Sequence, residues 1–175
     1  IVRDWLTAHA GERRPIAITL RESGHAPVRN SNVPAWREFA RTLDPKIYVP
    51  VFIPDTERAF DPASPPDGAD GLLAWPAAAL NLDLRLALYE QSWLNLMVTN
   101  GPGILCWLNN KSRFIMFKML NPAWVNTSQA YLASLGLAAG MQPPFATPFQ
   151  RLVWESDSLD VIEREFADMA EKIGD

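Results

Sequence analysis

The sequence predicts an α/β domain of Rossmann-like type, a mainly parallel sheet with helices on both faces. Four short apolar runs of strand length, Ile16 to Leu20, Ile47 to Ile53, Leu94 to Val98 and Arg113 to Met119, are the first sign. Segments with apolar residues at helical spacing stand between them, such as Trp36, Phe39, Ala40 and Leu43. Strands that alternate with helices along a chain call for a parallel sheet covered on both sides. The length, 175 residues, suits one domain with a full core and is short for two. The expected organisation is therefore a single domain over residues 1–175, with residues 1–15 as a linker helix at its entrance.

Taken in order, Ile1 to Ala10 carries Trp5 and Leu6 in a helical pattern that Gly11-Glu12-Arg13-Arg14-Pro15 ends. The first strand follows and stops at Arg21-Glu22-Ser23-Gly24. Asn32 as cap and Pro34 in the first turn open a helix over Val33 to Leu43. Pro50 weakens the second strand, which ends at Pro54-Asp55-Thr56-Glu57. Residues 59–71, rich in Pro, Gly and Asp, read as a surface loop. Leu84 to Trp93 reads as a helix running into the strand Leu94 to Val98, and a second helix, Ile104 to Asn109, opens from the turn Thr99-Asn100-Gly101-Pro102-Gly103. Thr127-Ser128 caps a helix over Gln129 to Leu135. Ser158 caps the last one, to Ile173, with Leu159, Ile162, Phe166, Met169 and Ile173 on its buried face.

Composition narrows the function classes. A net charge of −4 and a pI near 5.2 argue against general nucleic-acid affinity. Cys106 is the sole cysteine, so an intrachain disulfide and a cysteine-rich metal site are excluded, and a reducing, cytoplasmic setting fits. His9 and His25 have no metal-ligand spacing, so neither a metal centre nor a serine-histidine triad is expected. No apolar run approaches the ~18 residues of a membrane span. The chain opens on Ile1, which raises the expectation that it is part of something longer.

Ligands of open parallel sheets bind at the carboxyl ends of the strands. Three polar clusters fall there: Arg21-Glu22-Ser23, Asp55-Thr56-Glu57 and Thr99-Asn100-Gly101-Pro102-Gly103. Two glycines around a proline allow close backbone approach, and a helix opening from that turn would aim its positive end at an anion. The competing reading is an ordinary strand-to-helix turn. Arg21 is either a bidentate phosphate ligand or half of an ion pair with Glu22 or another carboxylate. Asp55 either accepts ribose hydroxyls or caps a turn at its strand end. Gln150 and Arg151, after Phe145 and Phe149, either frame a stacked base or sugar or pack a loop. Lys118 is a phosphate partner or a snorkelling strand residue. Of seven tryptophans, Trp36, Trp93 and Trp107 read as core, whereas Trp75 and Trp124, beside prolines, read as ligand candidates.

The order of these elements resembles the C-terminal, donor-binding half of GT-B glycosyltransferases, in particular bacterial heptosyltransferases and fucosyltransferases that use GDP-fucose. Asn100-Gly101-Pro102, after YEQSWLNLMVT, is similar to the Ser-Gly-Pro phosphate turn of the former. Thr99 and Ile104 stand where that pattern has an acidic residue and a histidine. Arg21 and Asp55-Thr56 are similar to the strand ends that line the nucleotide site of the latter. The resemblance implies a nucleotide-sugar donor, a glycan or other acceptor, and transfer without an obligatory metal or cofactor. Arg21, Asp55, Thr56, the turn from Thr99 to Gly103, Gln150 and Arg151 are the candidate ligand contacts, and no general base is evident. The competing class is a non-catalytic α/β binding module, and a phosphate-ester hydrolase ranks third for want of a partnered nucleophile.

Overall fold

The computed structural model describes residues 1–60 and 72–174; the Pro- and Gly-rich loop reading falls mostly outside them. Six strands form one all-parallel sheet: β1 (Arg14–Thr19), β2 (Tyr48–Ile53), β3 (Leu73–Ala74), β4 (Leu94–Val98), β5 (Phe114–Phe117) and β6 (Gln150–Leu152). Their spatial order is β3-β2-β1-β4-β5-β6. The helices are α1 (Val2–Ala10), α2 (Val33–Thr42), α3 (Ala77–Leu80), α4 (Leu82–Gln91), α5 (Ile104–Trp107), α6 (Gln129–Ser134) and α7 (Leu159–Ile173). The fold is therefore α/β and Rossmann-like, as the alternation of elements predicts.

Side chains of successive strand residues leave opposite faces of the sheet. Ile16, Ile18, Phe52, Leu96 and Phe117 accordingly enter one core, under Trp36 and Phe39 of α2 and Ile162 and Phe166 of α7. Ala17, Val51, Ile53, Met97 and Met116 enter the other, under α1, α3, α4 and α5. The entrance helix is thus no linker. Val2, Leu6 and Ala10 are buried, and Trp5 stacks on Trp75 with centroids 4.3 Å apart. That contact moves Trp75 from ligand candidate to core residue.

Pro50 lies inside β2 without breaking it. The Ile47 and Ile53 carbonyls accept from Arg14 and Leu20, which places odd-numbered residues toward β1 and even-numbered ones toward β3. Among the described residues β3 pairs only with Val51 and Phe52, so the donor that proline lacks has no strand partner there. The two shortest strands, β3 and β6, carry too few residues for a periodic signal, and neither is legible as a strand in the sequence.

Candidate functional site

The chain crosses from the β1-β2-β3 half of the sheet to the β4-β5-β6 half, so the connections after β1 and β4 leave in opposite directions. A crevice opens between their carboxyl ends, the switch point at which ligands bind in open α/β sheets. Beneath it is a cavity of about 70 Å³ walled by Thr19, Pro54, Asp55, Thr56, Arg85 and Asn100. Two of the polar clusters expected at strand ends line it, and the first is tied to it by the Glu22 N–H, which donates to Asp55.

Arg21, 8% exposed, is held differently from either expectation. Its guanidinium donates to the Ala26 carbonyl at 3.1 Å, the His25 carbonyl at 2.5 Å and Asn30 Oδ1. It is the post around which residues 21–31 wrap, and no carboxylate of the described residues lies within ion-pair distance. Ala26 takes a left-handed backbone (φ 53°) at the bend of this loop. Ser31 closes the loop, its N–H donating to the Arg21 carbonyl and its hydroxyl accepting from the Arg21 N–H, each at 2.8 Å.

That loop is tied to its neighbours on both sides. Asp55 accepts from the Glu22 N–H at 3.0 Å and the Glu57 N–H at 3.1 Å, so the turn-capping reading of Asp55 is the one its hydrogen bonds satisfy. Glu57 accepts from Ser23 Oγ at 2.6 Å and the Gly24 N–H at 2.9 Å. These bonds, the Gly24 one first, hold its carboxyl below the usual range. Thr56 donates its hydroxyl to the Ala79 carbonyl at 3.3 Å. On the other side, Lys118, itself left-handed (φ 57°), donates Nζ to the Asn30 carbonyl at 2.7 Å and faces the buried Asp157 carboxylate at 3.5 Å. Asp157 also accepts from the Asn32 N–H and Trp36 Nε1, at 2.7 and 2.9 Å.

Arg29 completes the loop's contribution. One Nη donates to the Thr99 carbonyl at 3.2 Å, while Nε is buried without an acceptor. Burial, then the neighbouring Arg21 charge, lowers its pKa from the ordinary arginine value. Two arginines of one loop thus have no carboxylate of the described residues at ion-pair distance from either. Trp124, from the connection after β5, stands edge-on to His25 with centroids 5.0 Å apart, and its indole N–H is also buried without an acceptor.

The turn after β4 corrects the expected dipole. α5 is a single turn, not the longer helix to Asn109, and its first N–H groups are already engaged. Gly103 N–H donates to Asn100 Oδ1 at 2.8 Å, Ile104 to the Gly101 carbonyl and Leu105 to that of Pro102. What the turn offers a guest is the Asn100 side-chain amide: its Oδ1 is taken by Gly103, and its Nδ2 is buried with no partner. Thr99 seals the ends of β4 and β5, its hydroxyl donating to the Lys118 carbonyl at 2.9 Å. Gly103 lies against the sheet, where an added Cβ would come within 2.4 Å of Met116 Cε, whereas Gly101 faces open space.

Gln150 and Arg151 are not at this crevice. Gln150 pairs with Phe114, the first residue of β5, at the amino end of the sheet, and donates Nε2 to the Asn109 and Ser112 carbonyls. Arg151 is paired with Glu165 of α7 at 2.6 Å.

Arg85 is the functional candidate that the sequence reading misses. It is 2% exposed, shares α4 with Tyr89, whose hydroxyl pairs with Thr19 Oγ1 at 2.8 Å, and donates Nε to the Ala78 carbonyl at 2.7 Å. No carboxylate of the described residues is within ion-pair distance of it. A lone arginine inside Leu84-Arg85-Leu86-Ala87-Leu88, beside an apolar strand, was the available signal: an all-round apolar helix is a buried one. Close by, burial pushes the Cys106 thiol up to about 12, away from nucleophilic use. Among the described residues no cluster of His, Cys, Asp and Glu could hold a metal ion, and no helix is long and apolar enough to cross a membrane.

The fold and the crevice define a class, an all-parallel Rossmann-like domain with its polar groups gathered at the switch point. No protein family, curated protein or solved structure matches the chain.

Proposed function

We propose that this chain binds a nucleotide diphosphate sugar across the β1/β4 crevice and serves as the donor-binding domain of a GT-B glycosyltransferase. The observation that carries the reading is the Arg21–Arg29 pair, two arginines of one loop at the carboxyl end of β1, neither with a carboxylate of the described residues at ion-pair distance. Such a pair is costly unless an anion joins it, and arginine suits the planar, bidentate recognition of phosphate. Arg29, with a free Nε and partial exposure, is the direct contact; Arg21 positions the loop that carries it. The Trp124 indole beside His25 offers a ring face and an N–H to the remainder of the ligand. In transfer, these fixed cations would stabilise charge growing on the departing diphosphate, with no metal required.

One observation favours a second reading, a non-catalytic binding module: Asp55 and Glu57, the carboxylates of the turn after β2, are both engaged with backbone N–H groups and poorly placed to act as base. Calorimetry with UDP, GDP and ADP, followed by diphosphate release from the matching sugar donors with glycan acceptors present, separates the possibilities. One nucleoside diphosphate should bind, and Arg29→Met should weaken it about tenfold or more, the worth of one charge-assisted contact. Binding without release would select the module. Absence of any nucleotide binding by the folded wild type would end the donor-binding reading and leave a module for another ligand or partner.

A further inference from the structure

We infer that the cavity beneath the crevice, between Arg85, Asn100 and Asp55, is a binding site for a single phosphoryl group. Arg85 presents five N–H donors, of which the Ala78 carbonyl satisfies one. The others have no hydrogen-bond acceptor among the described residues, and no carboxylate of those residues is at ion-pair distance from the charge. A buried cation in this state demands an anion far more strongly than a surface one. Asn100 makes the same demand from the opposite wall. Its Oδ1 accepts from Gly103, which fixes the amide orientation and leaves Nδ2 a donor with nothing to meet. The Thr19 and Thr56 hydroxyls are already engaged, with Tyr89 and with the Ala79 carbonyl.

Size and polarity then select the guest. A volume of about 70 Å³ exceeds several-fold what one water needs and matches a handful of heavy atoms, so a phosphate fits and a nucleoside does not. Asp55 lines the same cavity. Its oxygens accept two backbone N–H groups and retain lone pairs, so the preferred guest brings a proton as well as negative charge. Hydrogen phosphate does so; sulfate at neutral pH does not. The phosphoryl group is either free orthophosphate or the terminal group of a larger ligand lying in the crevice above. This assignment stands apart from the nucleotide-sugar reading and survives its failure.

The test is a titration of the whole protein with orthophosphate, sulfate and nucleoside diphosphates, followed by calorimetry and by the Arg85 Nε–H resonance. Orthophosphate should shift that resonance saturably, and sulfate should bind at least about tenfold more weakly. The informative variant is Asn100→Asp, which keeps the oxygen that caps Gly103 but replaces the Nδ2 donor with a charged oxygen. Its melting temperature without phosphate should stay near wild type, and its phosphate affinity should fall about tenfold to a hundredfold. The wild-type resonance decides the matter even if the variant does not fold. Competition between orthophosphate and a nucleoside diphosphate would identify the terminal phosphoryl group as the guest, and independent binding would identify free phosphate. An Arg85 resonance unmoved by millimolar orthophosphate, equal affinity in Asn100→Asp, or equal affinity for sulfate would overturn the assignment. Orthophosphate binding without nucleotide binding would instead remove only the donor-binding reading.

Discussion

At the scale of single residues, the two glycines of the turn after β4 look alike in sequence and differ in structure. Gly103 needs its missing side chain for packing against Met116 and Met97, not for a special backbone angle, and Gly101 borders open space. Gly101→Ala should leave stability unchanged or raise it by a few tenths of a kcal/mol through the unfolded chain. Gly103→Ala should cost about 1–2 kcal/mol, because Met116 must swing aside. Urea denaturation of the pair checks this, and equal effects would contradict it. Asp157 is the other residue whose weight exceeds its sequence signal. It is 1% exposed and joins Lys118, the Asn32 N–H and Trp36 Nε1. Asp157→Ala leaves the Lys118 charge and two donors unpartnered, and should destabilise by about 3 kcal/mol in the same assay. The sequence hides Asp157 because a cap-like Ser-Asp-Ser before a helix has many surface counterparts. Its three partners come from residues over a hundred positions upstream or from the left-handed end of β5.

At the scale of elements, the long helices are legible and the site loops are not. Trp36 and Phe39 of α2, and Ile162, Phe166 and Met169 of α7, repeat at helical spacing and are buried as that spacing requires. The 21–31 loop has no period; it is built by carbonyls converging on one guanidinium, a pattern that residue types do not encode. For the same reason Arg21 reads from sequence as ligand or ion pair and proves to be a loop post. The clasp between Ser23-Gly24 and Glu57 adds a pH dependence. Glu57 has its folded pKa lowered, so the clasp contributes fully above the ordinary glutamate range and is lost as pH falls through the lowered folded value. Exchange of the Gly24 amide hydrogen, corrected for intrinsic rate, should therefore be slow near neutrality and accelerate only in acid below that ordinary range. Glu57→Gln should exchange fast at every pH. Protection that persists in Glu57→Gln would show that the carboxylate is not what holds the loop.

At the scale of the whole molecule, alternation of apolar strands with helices sufficed for the fold class, because a parallel sheet needs a covering helix between successive strands. Strand order was not legible. It follows from which faces α2 and α7, and α1 with α3, α4 and α5, come to share, and that depends on contacts between distant segments. The position of the crevice rests on that order, as does the exclusion of Gln150 and Arg151, which lie at the opposite end of the strands. The central claim is that the carboxyl end of the sheet between β1 and β4 is the ligand site. Amide chemical-shift mapping during titration with UDP, GDP and ADP tests it most directly. The largest shifts for the nucleotide that binds should fall on residues 19–30, 54–57 and 99–103, with residues 149–151 unmoved. Shifts centred on Gln150 and Trp107, or none with any nucleotide, would contradict it.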